Sequence, residues 1–211
     1  MRPTYFKTME TKDVVVPLGR PREFCSDTAL AAALRVFWIK GYEGASLSDL
    51  TAAMGINRPS LYAAFGNKES LFLKALDLYD RENSAFMSMA LQMPTARGAV
   101  EAILRGALDL HAGHEGPRGC LYVTHAVACG KDAELARAAV ASRGATVEAA
   151  MLKRFETAKA EGDLPAAMEP LGLSRYLMAI MQGMAVQAAS GVPRAELEFL
   201  VETTLRMWPG H

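Results

Sequence analysis

The sequence predicts an all-α protein. Half of the 211 residues are apolar (51%), with alanine and methionine plentiful, and strand-like alternation of β-branched residues is almost absent outside Val14 to Val16. Apolar residues instead recur with the 3.6-residue period, in stretches closed by glycine or proline. The length allows one or two domains and is ample for a sizeable core. Lysine plus arginine (23) balance aspartate plus glutamate (23), and residues 1–82 carry eleven of the former against ten of the latter, so neither half is a polycation. Any nucleic-acid contact must therefore rest on where a few cations sit and on doubling by a dimer, not on bulk basicity. The three cysteines are too few for a disulfide framework and lack zinc-finger spacing, which fits a reduced cytoplasm. No signal-peptide pattern is expected in Met1 to Leu18, whose charges follow no helical period and read as a flexible arm over 1–18.

The first helix is expected over Asp27 to Lys40, with Leu30, Ala33, Leu34, Phe37 and Trp38 inward and Gly41 as its C-terminal cap. A two-turn helix follows: Ser46 caps it, Asp49 returns the hydrogen bond, and Leu47, Leu50 and Met54 share one buried face. Gly55 stops it, and Ile56 sits at the corner. Asn57 caps the next helix, whose inner face is Leu61 and Phe65, leaving Arg58, Pro59, Ser60 and Tyr62 at its start or outside. Two short helices across a glycine turn make a helix-turn-helix, in which the second helix enters the major groove of DNA. From Lys68 a fourth helix is expected to run toward Gln92, with Phe72, Ala75, Leu76, Tyr79 and Phe86 on one face. Pro94 marks the boundary, so this helix belongs to both halves and can act as a lever.

Beyond it, Ala96 to His111 reads as a helix, and Arg118 to Gly130 holds a short one bounded by glycines. Asp132 to Lys159 is a long amphipathic helix, with Leu135, Val140, Val147, Met151, Leu152 and Phe155 as its apolar set. Leu171 to Ala189 is nearly all apolar or small, and Pro193 opens a last helix to Trp208. The uncharged window Tyr176 to Pro193 is close to membrane-span length, but glutamines, glycines and a serine interrupt it, so no membrane is expected. Two terminal helices this apolar suggest packing against a copy of themselves.

The segments G-R-P-R-E-F (Gly19 to Phe24), A-A-L-R-V-F-W-I-K-G-Y-E-G-A-S-L (Ala32 to Leu47) and M-G-I-N-R-P-S-L-Y-A-A-F-G-N-K-E-S-L-F (Met54 to Phe72) resemble the DNA-binding region of TetR-type transcriptional regulators. The match covers about the first third of the chain, and the rest resembles the family in helical layout. The resemblance implies an N-terminal three-helix DNA-binding bundle and a larger C-terminal helical domain for ligand binding and dimerisation. The resulting division is 19–66 for the helix-turn-helix domain, 67–93 for the shared connecting helix and 94–211 for the second domain. It implies double-stranded operator DNA, a small-molecule effector and a second copy, paired through the last two helices, as partners. Arg58 and Ser60 become candidates for base edges, Tyr62 and Lys68 for phosphates, and Ser46 for the backbone from the first motif helix; Asn57 and Pro59 complete the set. Arg20 and Arg22, in an extended Gly-Arg-Pro segment, can lie along a minor groove or form a basic tail. Tyr62 can instead pack on the first helix, and Arg58 can reach a guanine or a phosphate; sequence leaves both open.

For the second domain, Phe86, Met89, Leu104, Leu108, Tyr122, His125, Met151, Phe155 and Met178, joined by Met87, Met93 and Met181, supply the flexible apolar lining and polar handles of a pocket between helices. A competing reading is a metal or redox sensor built on His111, His114, Cys120, His125 and Cys129. His111 with His114 and His125 with Cys129 have helical ligand spacing. Glycines and Pro117 separate the two pairs, and Cys120 and Cys129 lie about 13 Å apart on a continuous helix, too far for an internal disulfide. No metal or other cofactor is expected. No nucleophile elbow, phosphate loop, dinucleotide fingerprint or paired carboxylates point to an enzyme. The third reading is a helical ligand-binding protein without operator recognition.

Overall fold

A computed structural model describes residues 25–83, 85–113, 116–128 and 133–208. Among these, ten α-helices and no strand are found, in the order α1 (Ser26–Gly44), α2 (Leu47–Met54), α3 (Arg58–Phe65), α4 (Lys68–Asn83), α5 (Ala85–Ala90), α6 (Ala96–Ala112), α7 (Leu121–Ala128), α8 (Glu134–Ala160), α9 (Pro170–Ala189) and α10 (Arg194–Met207). The all-α expectation holds, and so does its two-part arrangement.

The local signals act as their chemistry requires. Ser46 Oγ accepts from the Asp49 N–H at 3.0 Å while the Asp49 carboxylate accepts from the Ser46 N–H, a complete capping box at the start of α2. Gly55 ends α2 in the left-handed conformation (φ 66°, ψ 28°), open to glycine at least cost. Asn57 Oδ1 accepts from the Ser60 N–H at 2.9 Å and caps α3, with Pro59 in the first turn, where a missing N–H costs nothing.

Around this motif, α1 and α4 close a core of Phe37, Leu50, Leu61, Leu71 and Phe72, with Phe37 and Phe72 edge to face at 5.1 Å. The same buried cluster continues through Tyr79 to Leu121 and Val140, so α4 carries the packing from the motif into the second half. There α6, α8, α9 and α10 enclose a separate core of Ile103, Leu104, Met151, Phe155, Leu177 and Met184, closed by Trp208 tilted against Phe155 at 5.7 Å.

Gly41 ends the long run of α1 as expected, its non-helical backbone (φ 73°, ψ 171°) kinking the chain before a short turn that continues to Gly44. The fourth helix is described over Lys68–Asn83 and Ala85–Ala90, ahead of the turns leading to Thr95, the N-cap of α6. One expectation is corrected: Leu135 is exposed on the first turn of α8, ahead of the contacts that bury Ala136 and Val140. Among the described residues no helix is long and apolar enough to cross a membrane.

Candidate nucleic-acid interface and internal cavity

The inner face of α3 is filled by Leu61 and Phe65, which turns the rest of the helix outward. Arg58 and Pro59 are exposed, Ser60 is half-buried, and Tyr62 is 49% exposed, so its ring is not consumed by packing on α1. Arg58 Nη2 donates to Ser48 Oγ at 3.2 Å, which holds the guanidinium between the two motif helices. Ser46 is more constrained than a free phosphate donor: its hydroxyl donates to Asp49 Oδ2 at 2.7 Å. Asp49 is also held by Lys40 Nζ at 2.6 Å, and that hydrogen bond first, then those from Ser46, brings its carboxyl down to about 2. Lys68 Nζ lies 4.6 Å from the centre of the Tyr42 ring, a cation–π contact at the start of α4; burial lowers its pKa and the Glu43 charge opposes this. Arg58, Pro59, Ser60 and Tyr62 thus lie off the packed face of α3, Lys68 opens α4, and Asn57 is spent on capping. Arg20 and Arg22 lie outside the described residues.

A cavity of about 1000 Å³ opens where α4 and α5 meet α6, α7, α8 and α9. Its apolar walls include Phe86, Met87, Tyr122, Val147, Met178 and Met181. Of the expected lining, Phe86, Tyr122 and Met178 are there. Leu104, Leu108, Met151 and Phe155 are not: they are fully buried in the core against α9 and α10, because the helical period identifies an inward face without saying whether a cavity or another helix meets it. Met89 is turned out to solvent, 65% exposed, and Met93 is exposed in the following turn. The side chain of His125 lies outside the described residues, as do His114 and Cys129.

The cavity also has polar groups that periodicity did not single out. Arg143 of α8 donates to Asp80 Oδ2 at 2.7 Å and to Asp77, pinning α8 to α4. Burial, acting first, raises the Asp80 pKa against the opposing pull of Arg143. Tyr79 meets Trp38 of α1 edge on at 4.9 Å and Tyr122 of α7 at 5.2 Å, and its hydroxyl lies 3.6 Å from Cys120 Sγ. The Trp38 indole N–H donates to the Gly119 carbonyl at 3.2 Å. An unbroken file of rings therefore runs from the motif bundle to the cavity wall.

His111, 5% exposed in the last turn of α6, lines the cavity with Nδ1 buried and without a partner among the described residues. Desolvation pushes its pKa down to about 4 and the Gly119 backbone works the other way, so the imidazole is neutral at pH 7. Burial raises the Cys120 thiol pKa, the opposite of what a thiolate sensor requires. Among the described residues no three His, Cys, Asp or Glu side chains are placed to hold a metal.

Comparison with known proteins places these features. Residues 29–75 match the family described as bacterial regulatory proteins, tetR family, and residues 96–196 match the tetracyclin repressor-like C-terminal domain. The chain is 31% identical over 204 residues to the HTH-type transcriptional repressor ComR of Escherichia coli, covering 96% of this chain and 97% of ComR. Among solved structures it resembles a cysteine mutant of the TetR family regulator CifR complexed with 26-bp double-strand operator DNA, at 41% identity and a TM-score of 0.84, covering 90% of this chain and 100% of that one. A TetR regulator from Rhodococcus sp. RHA1 matches at 41% identity with a TM-score of 0.58, over 87% of this chain and 98% of that one.

Proposed function

The chain belongs to the tetR family of bacterial regulatory proteins, and from that premise we propose that this DNA-binding transcriptional regulator is a ligand-released repressor, acting in the cytoplasm as a homodimer on a partly palindromic operator. The family regulates transcription and has no enzymatic role. The observation that carries the release mechanism is α4, which starts beside the recognition helix with Lys68 and ends at the cavity with Tyr79 and Asp80. Residues 19–66 serve as the reading head, 67–93 as the connecting lever, and 94–211 as the ligand-binding and pairing domain.

In this reading Arg58 and Ser60 meet base edges, Pro59 and Tyr62 border them, and Tyr62 and Lys68 reach phosphates. Arg58 leaves Ser48 and Lys68 leaves the Tyr42 ring to do so, the first giving up an exposed hydrogen bond and the second a half-buried cation–π contact for a phosphate or guanine. Arg20 and Arg22 extend the footprint toward the minor groove. A small molecule in the cavity displaces α4 against α8, shifts the two recognition helices of the dimer away from the ~34 Å spacing of successive major grooves, and releases the operator. A coupling of about 1–3 kcal/mol is enough for a useful switch.

The test is mobility-shift binding to the DNA flanking the protein's own gene, over a salt series. A specific shift that weakens steeply with salt is expected, with Arg58→Ala losing about 1–3 kcal/mol and sequence preference together, and Tyr62→Phe losing less. Unchanged affinity in Arg58→Ala would remove α3 as the reading helix.

A further inference from the structure

The cavity's chemistry narrows what can occupy it. Arg143 is the only lysine or arginine among the described residues lining it, and its guanidinium is already engaged by Asp77 and Asp80. Glu148, the other lining carboxylate, faces Arg175 at 3.4 Å. The charges are thus paired within the protein, and a charged guest would have to be desolvated without a counter-ion. Several of the neutral polar groups are partnered as well: the Asn83 amide donates to the Tyr79 carbonyl at 2.8 Å, and the Tyr79 hydroxyl and Cys120 thiol face each other at 3.6 Å. His111 Nδ1 is different. Of the buried side-chain nitrogen and oxygen atoms without a partner among the described residues, only this one belongs to the cavity lining.

The imidazole is neutral, so Nδ1 carries either a lone pair or an N–H, and in neither form does it have a partner among the described residues. A buried polar atom left unmade is costly, and a guest hydroxyl, which both donates and accepts, removes the cost in either form.

We infer that the cavity takes an uncharged, largely apolar molecule carrying a hydroxyl group, which hydrogen-bonds His111 Nδ1 while its hydrocarbon body lies among Phe86, Met87, Tyr122, Met178 and Met181. This rests on the reading of the cavity as the effector site and specifies its ligand. A carboxylate is disfavoured at the same point, because its charge would be desolvated with no free cation among the described lining residues. His111 is then a specificity-determining residue of the switch.

Equilibrium dialysis of the full-length protein at pH 7.5 against three matched probes tests this: naphthalene, 2-naphthol and 2-naphthoate. The alcohol should bind about tenfold tighter than the hydrocarbon, a single net hydrogen bond, with the carboxylate weakest. In His111→Phe the alcohol and the hydrocarbon should bind alike, and in His111→Gln, which keeps a hydrogen-bonding side chain, part of the gap should return. Helix content and the operator shift report whether the variants fold, and the wild-type series decides the matter if they do not. Equal affinity of the wild type for alcohol and hydrocarbon overturns the His111 assignment while leaving the cavity as the ligand site, and tightest binding of the carboxylate overturns the neutral class. Retention of none of the three overturns both the inference and the effector-site reading.

Discussion

His111 makes the fold sensitive to pH as well as shaping the cavity. In the unfolded chain its imidazole titrates near 6.5, whereas burial in α6 lowers the folded value to about 4. Above pH 6.5 both states are neutral and the group contributes nothing to the difference. As pH falls from 6.5 toward 4 the unfolded chain binds a proton that the folded protein refuses, so stability is lost through that window, up to about 3 kcal/mol. Tyr79 and Cys120, the titratable groups beside it, have pKa values raised by burial and stay protonated throughout. Urea midpoints at pH 7.5 and 4.5 should therefore separate further in the wild type than in His111→Phe; equal separations would mean that the imidazole is solvated in the folded state. Gly106 is a second position where one atom matters. A Cβ there would overlap the Phe86 ring, which packs against α6 at the cavity wall. Gly106→Ala should cost about 1–3 kcal/mol by forcing that ring aside, measured by thermal unfolding, and Gly144→Ala, with open space around it on α8, should cost nothing.

At the level of elements, the parts fixed by short-range chemistry were legible and the parts fixed by partners were not. The α2–α3 motif could be read residue by residue because its caps, its glycine turn and its inner face all lie within twenty residues of one another. Leu104 and Phe155 were assigned correctly as inward and incorrectly to a cavity, since only the third dimension distinguishes a wall from a core. Arg143 carried no signal at all: a lone arginine on a long amphipathic helix looks solvated until α4 brings Asp77 and Asp80 beneath it. This cross-link is where α8 holds the lever. Its members are partly exposed, so Arg143→Met should change global stability by less than about 1 kcal/mol. Local motion should respond more strongly. Hydrogen exchange at the C-terminal end of α4 should accelerate in the variant while the start of α4, packed through Phe72 against Phe37, keeps its protection; unchanged exchange along α4 would place the coupling in the Trp38, Tyr79 and Tyr122 ring file instead.

For the whole molecule, the balance of 23 positive and 23 negative side chains leaves no field strong enough to hold DNA by charge alone, so affinity must come from doubling a small, well-placed contact set. The exposed surface offers a route by which such doubling would arise. Leu171, Tyr176 and Val186 on α9 and Phe199 and Met207 on α10 are large apolar side chains left in solvent, with Phe199 at 68% and Met207 at 72% exposure. The opposite faces of the same helices are spent on the core through Leu177, Met184, Leu197 and Val201, so these outward side chains have no partner within the chain's own core. Two copies related by a two-fold axis would bury both sets against each other, as an isologous interface does. Replacing Val186 and Phe199 together by glutamate should leave the fold intact, because neither side chain is in the core, and should yield a monomer by light scattering. Operator affinity should then fall by orders of magnitude, because each subunit must bind its half-site independently. A double variant that remains dimeric would place the pairing surface elsewhere, and one that becomes monomeric while binding DNA undiminished would show that a single reading head is sufficient.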